Sequence, residues 1–176
     1  MRQLSLAFGN KGKIGYGSIR AVFYFLMFAQ LACSPSSDSQ MSSRFVPRAE
    51  QFQRVADTIG MAIQNHELPS EFIVRRGDFS HLGLAPAIVA RYDRLLDIAC
   101  ENCDLISTGN PSMLLFTVEA RGVIFHEIYS GYAYSTIKPM KEDPSLDYLR
   151  NQVTGDCSFH FKHLRDKWYL YVQTCQ

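Results

Sequence analysis

The chain has 176 residues, 47% of them hydrophobic and 20% charged, which is one domain's worth of sequence with ample material for a core. The formal net charge is +1, but Arg2, Lys11, Lys13 and Arg20 carry every charge before Cys33; the 18 basic residues less those four leave 14 against 17 acidic ones. A mildly acidic domain without a basic stripe lacks the electrostatic footprint of a nucleic-acid binder, so no nucleic-acid partner is expected.

The basic start ends at Arg20 and is followed by the apolar run Ala21–Ala32, then Cys33 and the polar Ser34-Pro35-Ser36-Ser37-Asp38-Ser39-Gln40. That order is the layout of a signal peptide, predicted here over residues 1–32. As a helix the apolar run would rise about 18 Å against a hydrocarbon core of about 30 Å, too short for a permanent span. Leu31-Ala32-Cys33 resembles the end of a bacterial lipoprotein signal. The resemblance implies that Cys33 is acylated, becomes the mature N-terminus and tethers the protein to a membrane facing the periplasm. Ser34 rather than Asp after it implies the outer membrane of a Gram-negative cell. The alternative is a plain secretory cut at Ala32-Cys33-Ser34, giving a periplasmic or secreted protein; Pro35 just after that cut disfavours it. Five cysteines are odd in number for an oxidising compartment, whereas lipidation of Cys33 leaves Cys100, Cys103, Cys157 and Cys175, an even four.

Residues 33–46 are Ser-rich and poor in apolar side chains, and are predicted to be the anchor cysteine and a flexible tether. The domain is expected over residues 47–176. Phe52, Val55, Ala56, Ile59 and Ile63 recur at three- and four-residue steps and predict an amphipathic helix, with His66 as a further position and Leu68-Pro69 as its end. Glu71–Arg76 reads as a short strand before a Gly77-Asp78 turn. Pro86 opens a second helix carrying Ile88, Val89, Tyr92, Leu95, Leu96 and Ala99. After Gly109-Asn110-Pro111 the period becomes two: Leu114, Phe116 and Val118 predict a strand, turned near Arg121-Gly122 into another that runs from Val123 toward Tyr134. Pro139 and Pro144 mark a loop with a helical turn at Ser145–Arg150.

The last twenty residues predict a hairpin, Cys157–Leu164 and Trp168–Cys175. With Leu164 opposite Trp168, Cys157 falls opposite Cys175, close enough for a disulfide. The same register puts Phe159, Phe161, Tyr169 and Tyr171 on one face and Leu164, Trp168, Leu170 and Val172 on the other. The expected fold is therefore α+β: two N-terminal helices packed on one face of a C-terminal antiparallel sheet of about four strands. The uncovered apolar face is either roofed by loops and the turn near Ser145 or is a binding surface.

Cys100-Glu101-Asn102-Cys103 is a C-x-x-C, the spacing of thiol redox sites. It follows a helix, at the negative end of the dipole and beside Glu101 and Asp104, and each of these disfavours a thiolate. A local structural disulfide is the preferred reading, with redox chemistry and metal binding as alternatives. His66, His81, His126, His160 and His163 form no metal-binding pattern, and no nucleophile elbow, phosphate loop or dinucleotide fingerprint is present, so neither cofactor nor metal is expected.

Gly131-Tyr132-Ala133-Tyr134-Ser135 and Lys167-Trp168-Tyr169-Leu170-Tyr171 resemble strands of small, uncharacterised proteobacterial lipoproteins, a group that supplies no activity. Tyr132, Tyr134, Trp168, Tyr169 and Tyr171 are either ordinary sheet packing or a contact surface for another protein. The expected function is that of a non-catalytic, membrane-tethered envelope protein binding an envelope component or a protein, such as a toxin, through this sheet. The competing class is a small periplasmic enzyme or thiol oxidoreductase using Cys100 and Cys103.

Overall fold

The computed structural model of the protein describes residues 36–101, 103–108, 113–123, 126–139, 142–151 and 157–175. The signal segment, Cys33 and the Gly109-Asn110-Pro111 break lie outside them.

The first element corrects the sequence reading. Asp38–Phe45 is a helix, α1, within the span expected to be a loose tether. Its start is a capping box: the Ser37 side chain accepts from Gln40 N–H, and Gln40 Oε1 accepts from Ser37 N–H. Met41 and Phe45, four apart, lie on one side of the helix and are buried, so two apolar residues in a Ser-rich stretch suffice to dock it. Pro47 cannot donate to a continuing helix, and the chain turns through a 3-10 segment, Val46–Arg48, into α2, Ala49–Gln64. Helix α2 buries the anticipated Phe52, Val55, Ala56, Ile59 and Ile63. His66 is not part of that face; it is exposed and left-handed, with φ 59°, beyond the helix end. Helix α3, Pro86–Ala99, begins at its proline and buries Tyr92, Leu96 and Ala99.

The sheet has six strands where about four were expected. These are β1 (Glu71–Val74), β2 (Asp104–Thr108), β3 (Met113–Val123), β4 (His126–Ser135), β5 (Ser158–Arg165) and β6 (Trp168–Cys175). Their order is β1-β2-β3-β4-β6-β5, with every pair antiparallel. The additional neighbours are β1 and β2: Leu105 and Ser107 of β2 point inward to meet Val74 and Phe72. The turn expected at Arg121-Gly122 falls later, because those residues still pair with Ile128 and Glu127.

In the terminal hairpin, Ser158 to His163 pair with Thr174 to Tyr169 in the anticipated register, and Cys157 is bridged to Cys175. One detail changes. Arg165, not Leu164, pairs with Trp168, because a bulge at Leu164 shifts the end of the ladder.

The helices pack on one face of the sheet. That core joins Phe45, Phe52, Ile59, Tyr92 and Leu96 to Val74, Leu105, Phe116, Tyr132, Trp168 and Leu170. Leu146 and Leu149, from the connection between β4 and β5, belong to the same core, so the turn near Ser145 does not roof the opposite face. On that opposite face Leu115, Ala133, Phe161, Tyr169 and Tyr171 form a second cluster, made of strand side chains alone among the described residues.

Candidate functional site: a cleft beside Tyr134 and Trp168

The aromatic residues singled out in the sequence separate into two groups. Tyr132 and Trp168 lie in the helix-side core, ringed by Phe45, Phe52 and Phe116. Tyr132 O–H donates to the Met41 carbonyl at 3.0 Å, and burial pushes its pKa up to about 12. Tyr169 and Tyr171 lie on the other face and are buried; Tyr171 shares a hydrogen bond with the Thr117 hydroxyl, and burial raises its pKa. Only Tyr134 keeps substantial solvent contact, its ring 5.2 Å from that of Trp168. Four of the five rings are thus predominantly structural, and the aromatic sheet meets solvent where β4 ends and β6 begins.

At that end lies a cleft of about 650 Å3. Tyr134 and Trp168 line it from the sheet, Glu50, Gln51, Gln53 and Asp57 from the first turns of α2, and Arg165, Asp166 and Lys167 from the hairpin turn. Asp166 makes that turn at φ 50°, and the bulge at Leu164 brings Arg165 opposite Trp168. Trp168 Nε1–H donates to Gln53 Oε1 at 2.8 Å, and Gln53 Nε2 donates to Asp57 at 2.8 Å. Beside this satisfied chain, Gln51 Oε1 is buried and accepts no hydrogen bond from the described residues. A buried acceptor left without a donor carries a free-energy cost of about 1–3 kcal/mol. The rim carries both signs of charge, with Arg165 and Asp166 paired at 3.2 Å.

The α2 residues of this cleft were missed in the sequence. Gln53 and Asp57 are visible there only as a polar pair four apart on a helix, and nothing in the order of residues shows that Gln51 lacks a partner.

Cys100 and Cys103 form a disulfide. Cys100 is 4% exposed and Cys103 1%. Their surroundings differ from the acidic setting read along the chain, because Arg44 and Arg48 line a hollow of about 480 Å3 together with Cys100, Glu101 and Tyr132. The two arginines come from the segment first read as tether and the turn after it. Among the described residues no group of three or more His, Cys, Asp or Glu side chains is arranged to hold a metal ion. His160 pairs with Asp143 at 2.9 Å, and His163 meets the Asp166 carbonyl at 3.1 Å.

No family model, no curated protein and no solved structure matches the chain.

Proposed function

We propose that the protein is a non-catalytic envelope protein, tethered by a lipid on Cys33, which binds a protein or another envelope component at the cleft beside Tyr134 and Trp168. The observation that carries the binding reading is the open cleft itself, where partly exposed Tyr134, packed beside Trp168, meets solvent within a ring of charged and amide side chains. The cleft combines the apolar bodies of Tyr134 and Trp168 with a two-signed charged rim, a composition suited to an extended partner that donates hydrogen bonds, such as a polypeptide. Site-specific photocrosslinking in intact cells tests it. A photoreactive residue at Lys167 should trap a discrete species that one at Ala90, on the exposed side of α3, does not, and Tyr134→Ala should weaken the product. Equal products at both positions, or indifference to Tyr134→Ala, would remove the cleft from the account.

The thiol oxidoreductase reading draws on Arg44 and Arg48, which favour a thiolate near Cys100. Burial of both sulfur-bearing residues opposes it, since exchange needs an accessible sulfur. Reduction and alkylation of Cys100 and Cys103 at mild potential in the folded state would favour redox chemistry; resistance until unfolding would favour a staple.

A further inference from the structure

The chain between Cys33 and the folded domain is far shorter than its composition suggests. Ser36, only three residues after Cys33, is already fixed: its backbone N–H and hydroxyl bond to Glu119 on β3, and Arg44 Nη1 donates to its oxygen at 3.0 Å. Asp38 follows, with its N–H on Asp147 and its carboxylate on Leu146 N–H, Lys162 and Arg150. Three residues reach at most about 11 Å even when fully extended. A domain of about 140 residues has a radius of gyration of about 14 Å. A lipid on Cys33 would therefore hold the domain against the bilayer in a restricted set of orientations, rather than on a long leash.

The surface beside this attachment point has a matching chemistry. The exposed residues of α1 are Ser39, Gln40, Ser43 and Arg44, Asp38 being turned inward; Arg44 is ion-paired with Glu119 at 3.3 Å. The following turn adds Val46, 63% exposed on the edge it shares with the Tyr134 cleft, and Arg48, also exposed. Polar and cationic side chains around one exposed apolar residue suit a headgroup layer, where arginine meets phosphate and valine the acyl boundary.

We propose that α1 and the Val46–Arg48 turn rest on an anionic membrane surface, fixing the orientation of the tethered domain. This rests on acylation of Cys33. The test uses the full chain, processed in a bacterial host, its acylation verified by intact mass, then placed in phosphatidylethanolamine–phosphatidylglycerol vesicles with a headgroup spin label. A fluorophore on Ser43→Cys is compared with one on Glu71→Cys at the β1 edge, four strand spacings, or about 19 Å, from β6. Quenching should be several-fold stronger at 43 than at 71. It should weaken with Arg48→Glu, and part of the contrast should persist when about twelve Gly and Ser residues, spanning about 19 Å as a coil, are inserted after Pro35; a contrast lost entirely on insertion would overturn the resting face and leave only a short leash. Acylated protein quenched equally at both positions would overturn the membrane-resting face while leaving the anchor in place. A mature chain without acyl mass would overturn the anchor itself, and this inference with it.

Discussion

Asp38 illustrates how one residue can hide in a sequence. In a Ser-rich stretch it reads as a solvated charge, yet its side chain is buried beside Arg150, at 2.8 Å, and Lys162, at 3.0 Å. Burial acts to raise its pKa, but the Leu146 N–H, Lys162 and Arg150 outweigh that and hold it below the usual 3.8. A carboxyl with a lowered native pKa contributes stability above its unfolded value and loses it as pH falls through the native one. Asp38→Asn should therefore flatten the loss of stability below pH 3.8. At neutral pH it should cost about 3–5 kcal/mol, since Arg150 Nε and Nη2 have no partner among the described residues and its other ion pair there is with half-exposed Asp147. Urea unfolding of both proteins across acid and neutral pH measures both effects.

Gly131 makes the same point about backbone. It sits between Thr117 on β3 and Tyr171 on β6, next to the bulge at Val118. A Cβ there would lie 1.9 Å from the Phe116 carbonyl oxygen, so any side chain must push two strands apart. Gly131→Ala should destabilise by about 1–3 kcal/mol or more, read as a lower midpoint in urea with Cys157–Cys175 still closed.

Among the elements, those with a strong period were legible. The apolar faces of α2 and α3, the alternation in β3 and the two faces of the terminal hairpin all follow from spacing, and the sulfur pairing of Cys157 with Cys175 follows from register. Helix α1 was hidden because Ser and Asp count toward loops by composition, whereas here Ser37 caps a helix and Met41 and Phe45 dock it. Strand β2 is five residues of modest alternation directly after the C-x-x-C, too short to stand out against it. The bulges at Val118 and Leu164 arise from contacts between strands and leave no mark on either strand alone. The cleft was half legible for the same reason: Tyr134 and Trp168 stand out, while the glutamines are recognisable only once α2 lies against the hairpin.

At this scale the hairpin staple has its own consequence. The bridge joins residues 18 apart at the open end of β5 and β6. In the chain-entropy picture, closing such a loop contributes about 3 kcal/mol. The double variant Cys157→Ala/Cys175→Ala should unfold at lower urea by that order, with β5, the edge strand, gaining the fastest amide exchange. Unchanged stability would mean that the ladder alone fixes the edge.

For the whole molecule, the fold already includes Ser36 and α1, within the span expected to be a flexible tether. Helices cover one face of the sheet, the connection from β4 to β5 reinforces that side, and the Asp38 ion network ties the entering chain to both. The cleft opens at one end of this assembly; the proposed tether and the proposed membrane-resting face both depend on acylation of Cys33.

Intact mass and membrane fractionation of the protein expressed in a Gram-negative host, with wild type beside Cys33→Ala, test the anchor most directly. The account predicts a membrane-bound mature wild-type chain that starts at Cys33 and is heavier by its acyl groups, and a variant that loses both the added mass and the processed start. A wild-type product that is unmodified, or released from the membrane, would contradict it.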